Sequence, residues 1–198
     1  MMNTFQVVFS DEAAFDITMP RSRYSRRERG SKTTSAHIAQ HRPFLRRIMV
    51  WACFCHAGPG PIVVIKGTMT GLKYIDTLSN YLVPKMEIWF PDNSGAFQQD
   101  NAPSHKAKRV LDFMEENGIH RMDWPPYSPD LSPMENLWAI VKQKVHTVAT
   151  HTANQLTTRI ENIWSDDEAV KRVCDSLIGD MARRIQACIE AAGGPIKY

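Results

Sequence analysis

Apolar and polar positions alternate at the start of the chain, then recur every three or four residues further on. Residues 5–17, FQVVFSDEAAFDI, read as a strand with Asp11 near its middle or end. Residues 48–56, IMVWACFCH, form a β-rich run, Gly58, Pro59, Gly60 and Pro61 a turn, and PIVVIKG (61–67) a second apolar strand, so the pair predicts a hairpin. Tyr74, Ile75, Leu78 and Leu82 sit at helical spacing within 73–83, with Pro84 following, and GAFQQD (95–100) is a short strand ending at Asp100. SHKAKRVLDFMEENG places Ala107, Val110, Leu111 and Met114 on one helical face, stopped by Asn117-Gly118. IHRMDW (119–124) is a short strand, and the four prolines of PPYSPDLSP (125–133) exclude regular structure.

From Pro133 the helical signal is strong: Met134, Leu137, Trp138, Val141, Val145 and Val148 form one stripe. A C-terminal helical region covers about 152–198, with its last helix at roughly 166–192 ending at Gly193-Gly194. Strands first, then strands alternating with helices, point to a mixed α/β sheet domain covering residues 1–198. There are no internal repeats. Residues 18–47 show no clean period and read as a long loop or arm; loops of that length are uncommon in compact domains and usually functional or mobile.

Composition changes this picture little. Of the 198 residues 43% are hydrophobic and 23% charged, which excludes long disorder, collagen and coiled coil as the dominant state. No apolar run approaches the roughly 20 residues that span a bilayer, so no membrane partner is expected. The start, MMNTFQVVFSDEAAF, lacks a signal-peptide pattern. Charge changes the picture more. Residues 17–47 carry nine Lys or Arg (Arg21, Arg23, Arg26, Arg27, Arg29, Lys32, Arg42, Arg46, Arg47) against Glu28 alone, so the segment is +8 and the remainder −5. A basic segment on an acidic body is an electrostatic footprint for a polyanion, most often nucleic acid; its bland counterpart is a solvated loop.

Three acids stand where elements end or begin. Asp11 follows VVFS, with Glu12 and Asp16 as close competitors; Asp100 ends a short strand; Glu135 lies in the first turn of the strongest helix. Such places collect functional groups in α/β proteins. Carboxylates are what hard divalent cations need, and two such ions can clamp the attacking and leaving oxygens of a phosphoryl displacement. Each acid also has a structural reading. Asp11 can be an exposed strand residue and Asp100 a turn residue. Ser132-Pro133-Met134-Glu135 matches a capping box, with Ser132 as N-cap and Glu135 at N3. Glu135 nevertheless lies off the edge of the apolar stripe, where it can border a cleft.

The segments FSDE (9–12), FQQDNAPSH (97–105) and DWPPYSPDLSPMENLW (123–138) closely resemble the catalytic domain of the Tc/mariner superfamily of DDE transposases. The 34 residues between Asp100 and Glu135 match the Tc-type branch, and the resemblance continues through MVWACF (49–54), GPGPIVVIKGTM (58–69) and ARRIQACIEAAGG (182–194). It implies an RNase H-like fold, a mixed sheet flanked by helices that carries both Asp while a helix brings Glu135. It implies that Asp11, Asp100 and Glu135 are the catalytic residues and ligate two Mg²⁺ ions, with Mn²⁺ as a substitute. The implied chemistry is hydrolysis of a DNA strand at the transposon end, followed by attack of the exposed 3′-hydroxyl on target DNA at a TA dinucleotide. The implied setting is the nucleus, with transposon ends and target DNA as partners and a homodimer as assembly. Arg23, Arg26, Arg27 and Arg29 of the basic segment are the candidate DNA contacts, joined by His105 and Lys106; His105 serves equally as a cap.

Two departures stand out. Family members carry helix-turn-helix modules ahead of the catalytic domain, whereas this chain starts almost at the first strand, so those modules are expected to be absent. Relatives usually have a Trp-Arg-x-Pro-Gly type segment where this chain reads RYSRRERGSKTTSAHIAQ, without Trp or Pro. Cys53, Cys55, Cys174 and Cys188 read as reduced thiols rather than a metal cluster, Trp138 as core, and Lys108, Arg109, Lys142 and Lys144 as facing solvent or DNA backbone. Two other functions compete: an idle transposon remnant that binds DNA nonspecifically, and an RNase H-like nuclease acting on hybrids, which the Pro-rich signature disfavours.

Overall fold

The computed structural model describes residues 4–17, 47–125, 128–166 and 168–194. The basic arm therefore lies outside the described residues, and with it Arg21, Arg23, Arg26, Arg27, Arg29, Lys32, Arg42 and Arg46. Arg47 opens a strand and pairs with Asp16 at 2.7 Å.

Five strands form one sheet in the order β3-β2-β1-β4-β5. β1 (Val7–Asp16), β2 (Arg47–Cys55) and β3 (Gly58–Ile65) pair antiparallel; β4 (Ala96–Gln98) and β5 (His120–Arg121) add on in parallel. The period-2 pattern of β1 and β2 sorts the core into two layers. Val7, Phe9, Ala13, Phe15, Val50, Ala52 and Phe54 face one side, packing on α4 (Pro133–Val145), α5 (Ala153–Asp166) and α6 (Glu168–Glu190). Val8, Trp51, Cys53, Cys55 and Phe97 face the other, against α1 (Gly71–Thr77), α2 (Val83–Trp89) and α3 (Lys108–Glu116). None of the described helices is long and apolar enough to cross a membrane.

Four expectations need correction. The hairpin turn lies at 56–57, not 58–61: Cys55 pairs with Gly58, and Pro59 and Pro61 enter β3. They are tolerated because β3 is an edge strand and its register shifts between Ala52 and Phe54. A side chain at Gly60 would collide with Trp89 at 2.5 Å, and the Gly60 carbonyl accepts from Trp164 Nε1 at 2.7 Å. Pro84 does not end the helix. A π segment, Leu78–Leu82, widens the turn ahead of it, Val83 N–H reaches back to the Leu78 carbonyl, and α2 continues to Trp89. The helix expected from Ser104 starts at Lys108, because the residues before it are folded into a turn around Asp100. Finally, α4 stops at Val145, so Met134, Leu137, Trp138, Val141 and Val145 are buried while Val148 is exposed; the helix α5 over 153–166 was foreshadowed only as part of a helical region.

The cysteines are free; Cys53, Cys55 and Cys174 are buried, and burial pushes the Cys55 thiol up to about 11 and Cys174 up to about 12. Trp138 is core, its ring 5.3 Å from that of Trp164.

Candidate active site

Asp11 sits in the middle of β1, opposite Ala52. Its parity matches Phe9 and Ala13, so it belongs to the face on which α4 lies. Asp100 follows β4 by two residues. The parallel register runs from Val7↔Ala96 to Phe9↔Gln98, and carried two residues on it sets Asp100 beside Asp11. Glu135 occupies the first turn of α4, one turn ahead of Trp138, whose ring meets Phe15 of β1 at 5.8 Å. Three elements remote in sequence thus bring three carboxylates to one face of the sheet, just past the end of the β1–β4 pairing.

The Asp11 carboxyl is pushed up to about 7. Burial is the main cause and the charge of Glu12 the next; a hydrogen bond from the Glu12 backbone opposes them, and Asp100 and Glu135 each add a further rise. Asp11 is therefore a buried carboxyl with three other carboxylates around it. Glu135 is exposed, and among the described residues it makes no hydrogen bond or ion pair. The capping box does not form at Ser132, whose side chain makes no cap hydrogen bond.

Asp100 is held differently. Its Oδ1 lies 2.6 Å from His105 Nδ1 and accepts the Ala102 backbone N–H at 2.9 Å. The His105 bond holds the Asp100 carboxyl below its usual range. His105 Nε2 lies 3.2 Å from Glu12 Oε1. Burial alone would lower the His105 imidazole, but the hydrogen bonds to Asp100 and Glu12 outweigh it and push it up to about 9. Each ring nitrogen lies within hydrogen-bond distance of a carboxylate oxygen.

His105 is 2% exposed and stacked on Tyr74, so the expectation of a DNA phosphate contact or a helix cap is corrected: both nitrogens are engaged by carboxylates. Lys106 is exposed beside it. Arg23, Arg26, Arg27 and Arg29 lie outside the described residues. Lys142 reaches over the Phe15 ring at 5.7 Å, and Lys108 pairs with Asp112 at 2.7 Å. Glu12, weighed in the sequence only as a rival to Asp11, points to the opposite face; polar atoms of Glu12, Asp100 and His105 lie within 4.8 Å of one another. In this structure the ring lies between the two carboxylates and bridges them by hydrogen bonds. The signal for it was faint: parity sends Glu12 away from Asp11, but nothing local ties it to a histidine 93 positions on.

The donor set of Asp11, Asp100 and Glu135 fits a divalent cation. It is all oxygen, it carries a surplus of negative charge, and it leaves Glu135 free to turn toward an ion.

The family described as DDE superfamily endonuclease matches residues 6–157. The chain is 32% identical over 197 residues to the transposable element Tcb2 transposase of Caenorhabditis briggsae, covering 96% of this chain and 70% of that protein. It is 35% identical over 154 residues to the Tcb1 transposase of the same organism, covering 76% of this chain and 54% of that protein. The Mos1 transposase paired-end complex with left transposon end superposes with a TM-score of 0.80 at 21% identity, over 98% of this chain and 57% of that one. The shared fold is the RNase H-like one expected above. The chain spans between half and three quarters of the length of these proteins.

Proposed function

The chain belongs to the DDE superfamily endonucleases, among the Tc-type transposases, and from that premise we propose that it is the part of a transposase that cleaves DNA at a transposon end and joins it to target DNA in cut-and-paste transposition. The observation that carries the reading is geometric: the β1–β4 register sets Asp100 beside Asp11, and α4 packs on the face of β1 that bears Asp11 with Glu135 in its first turn. Asp11, Asp100 and Glu135 would hold Mg²⁺ or Mn²⁺. When bound, such ions act as Lewis acids on a phosphodiester and stabilise the attacking and leaving oxygens of an in-line displacement.

The protein's own residues do the positioning. Asp11 is fixed by the sheet, paired on one side by Ala52 of β2. Asp100 is held on a loop that His105 links to Glu12 of β1. Glu135 closes the site from α4 and is the one acid free to change rotamer. Attack of water on phosphorus forms a new P–O bond as the P–O3′ bond breaks; the water's proton ends on O3′, giving a 3′-hydroxyl and a 5′-phosphate. That hydroxyl then attacks a phosphodiester of the target, at TA, releasing a 3′-hydroxyl there. Lys106 and the basic segment of Arg23, Arg26, Arg27 and Arg29 supply phosphate contacts. Nuclear residence and a homodimer belong to the same reading.

The test is nicking of supercoiled plasmid by the full chain in Mg²⁺ or Mn²⁺, which needs no cognate end. The expected result is metal-dependent conversion to open circle that Asp11→Asn and Asp100→Asn abolish. Wild-type nicking by either variant, or no nicking by the unaltered chain in either metal, overturns the reading.

A further inference from the structure

Asp100 is tied to β1 after the strand ladder has stopped. The parallel pairing ends at Phe9↔Gln98, two residues short of Asp11 and Asp100. A side-chain bridge spans the gap. Glu12, the neighbour of Asp11, accepts from His105 Nε2 at 3.2 Å, and His105 Nδ1 donates to Asp100 Oδ1 at 2.6 Å.

The ring in the bridge has little freedom. It stacks on Tyr74 with centroids 3.9 Å apart and planes inclined by 23°. The Tyr74 hydroxyl donates to Gln99 Oε1 at 2.7 Å, and Gln99 Nε2 donates to the His105 carbonyl at 3.4 Å. The loop also closes on itself, with His105 N–H donating to the Ala102 carbonyl at 2.9 Å. Two donors, His105 and the Ala102 N–H, therefore converge on Oδ1 of Asp100, while the side chain as a whole stays 52% exposed. Both bonds go to Oδ1, and among the described residues no hydrogen bond goes to the other carboxylate oxygen.

We propose that Glu12 and His105 are positioning residues whose bridge sets the separation and orientation of Asp100 relative to Asp11, presenting one Asp100 oxygen to a divalent cation. The proposal rests on the assignment of Asp11, Asp100 and Glu135 as the cation-holding set. Neither Glu12 nor His105 ligates the ion; both act through Asp100. Loss of such a supporting partner typically weakens metal binding by about 10- to 100-fold. A purely structural His105–Glu12 pair would cost stability on removal and leave cation affinity alone.

The experiment is Mn²⁺ binding to the full chain without DNA, read by loss of the free-ion signal in electron paramagnetic resonance, with the metal-free melting temperature measured alongside. Asp11→Asn is expected to abolish binding. Glu12→Ala and His105→Ala are each expected to weaken it by about 10- to 100-fold. Glu12→Gln keeps an acceptor oxygen and is expected to restore most of the affinity. The double variant is expected to bind no more weakly than His105→Ala, since both act through one bridge. Should His105→Ala fail to fold, the Glu12 pair decides, because Glu12→Gln keeps the size of a side chain that is 16% exposed.

Wild-type affinity in Glu12→Ala, with binding still lost in Asp11→Asn, overturns the bridge and spares the carboxylate assignment. Complete loss in Glu12→Gln overturns it too, by making Glu12 a ligand. Intact binding in Asp11→Asn overturns the assignment and the bridge together.

Discussion

Asp100 and Glu135 do comparable work in the proposed site and are held in opposite ways. Asp100 has left its strand and is clamped by side chains: His105 and the Ala102 N–H take one oxygen, and Glu12 and Tyr74 hold the histidine. Glu135 has no side-chain partner among the described residues and is located by its helix alone. That helix is anchored by apolar burial of Met134, Leu137 and Trp138, and by Arg184 of α6, which donates to Asn136 Oδ1 at 2.9 Å. The difference teaches that a carboxylate on a loop needs its own hydrogen bonds to be placed, whereas one on a packed helix can be left free. The free acid can turn toward an ion or away from it; the clamped one cannot.

The largest effect expected from this contrast is on activity. Glu135→Gln removes the charge at the free position and keeps the size. Plasmid nicking in Mg²⁺ is expected to fall by about 100-fold or more, since a metal's share of transition-state stabilisation is several kcal/mol and each 1.36 kcal/mol is tenfold. The melting temperature in metal-free buffer is expected to stay within the roughly 0.5 kcal/mol scatter of surface substitutions, because no bond is lost. Nicking at the wild-type rate would show that Glu135 is not part of the chemistry.

The next effect probes how the helix is placed. Asn136→Ala removes one acceptor of the buried Arg184, which is 3% exposed. Hydrogen bonds to charged groups contribute about 1.5–3 kcal/mol, so urea denaturation is expected to show a loss in that range. An unchanged denaturation midpoint would mean that apolar packing alone positions the first turn of α4. Tyr74→Phe tests the clamped side. It removes the hydroxyl that bonds Gln99 and leaves the ring under His105, and a buried acceptor left short costs about 1–3 kcal/mol. The expected loss falls at the low end, because the amide can re-pair on relaxation. A loss above that range would mean that the hydroxyl also fixes Asp100.

The two halves of the site differed equally in how legible they were. Glu135 was readable from its own helix: a 3.6-residue stripe placed Trp138 inside and Glu135 outside, and both are so. The sheet faces were readable for the same reason, since Val50, Ala52 and Phe54 alternate with Trp51, Cys53 and Cys55. The clamp was not. His105 is buried only because Glu12, Tyr74 and Asp100 come together from distant segments, and a histidine before a helix has the same local pattern whether it caps, contacts phosphate or bridges two acids. Pro84 failed for a related reason: proline ends a regular α-helix, but a π turn at Leu78–Leu82 lets the chain pass.

The smallest effect is the sharpest test of Glu135's freedom. An N-cap serine replaced by alanine ordinarily costs about 1 kcal/mol, because its hydroxyl accepts an otherwise orphaned helix N–H. Ser132 stands at that position with an extended backbone, ψ 113°, yet its side chain makes no cap bond. The serine is therefore not contributing what its place in the sequence promises, and the reciprocal reach of Glu135 toward the N-cap is missing as well. Ser132→Ala is accordingly expected to change stability by less than about 0.5 kcal/mol, the range of a neutral surface substitution. Nicking and Mn²⁺ affinity are expected to be unchanged. A loss of 1 kcal/mol or more would mean that Ser132 caps α4 in solution. Measured again on a Glu135→Gln background, such a loss would report whether the box is closed from the other side. If the two losses coupled, Glu135 would spend its time on the helix end rather than in the cleft, and the contrast with Asp100 would fail.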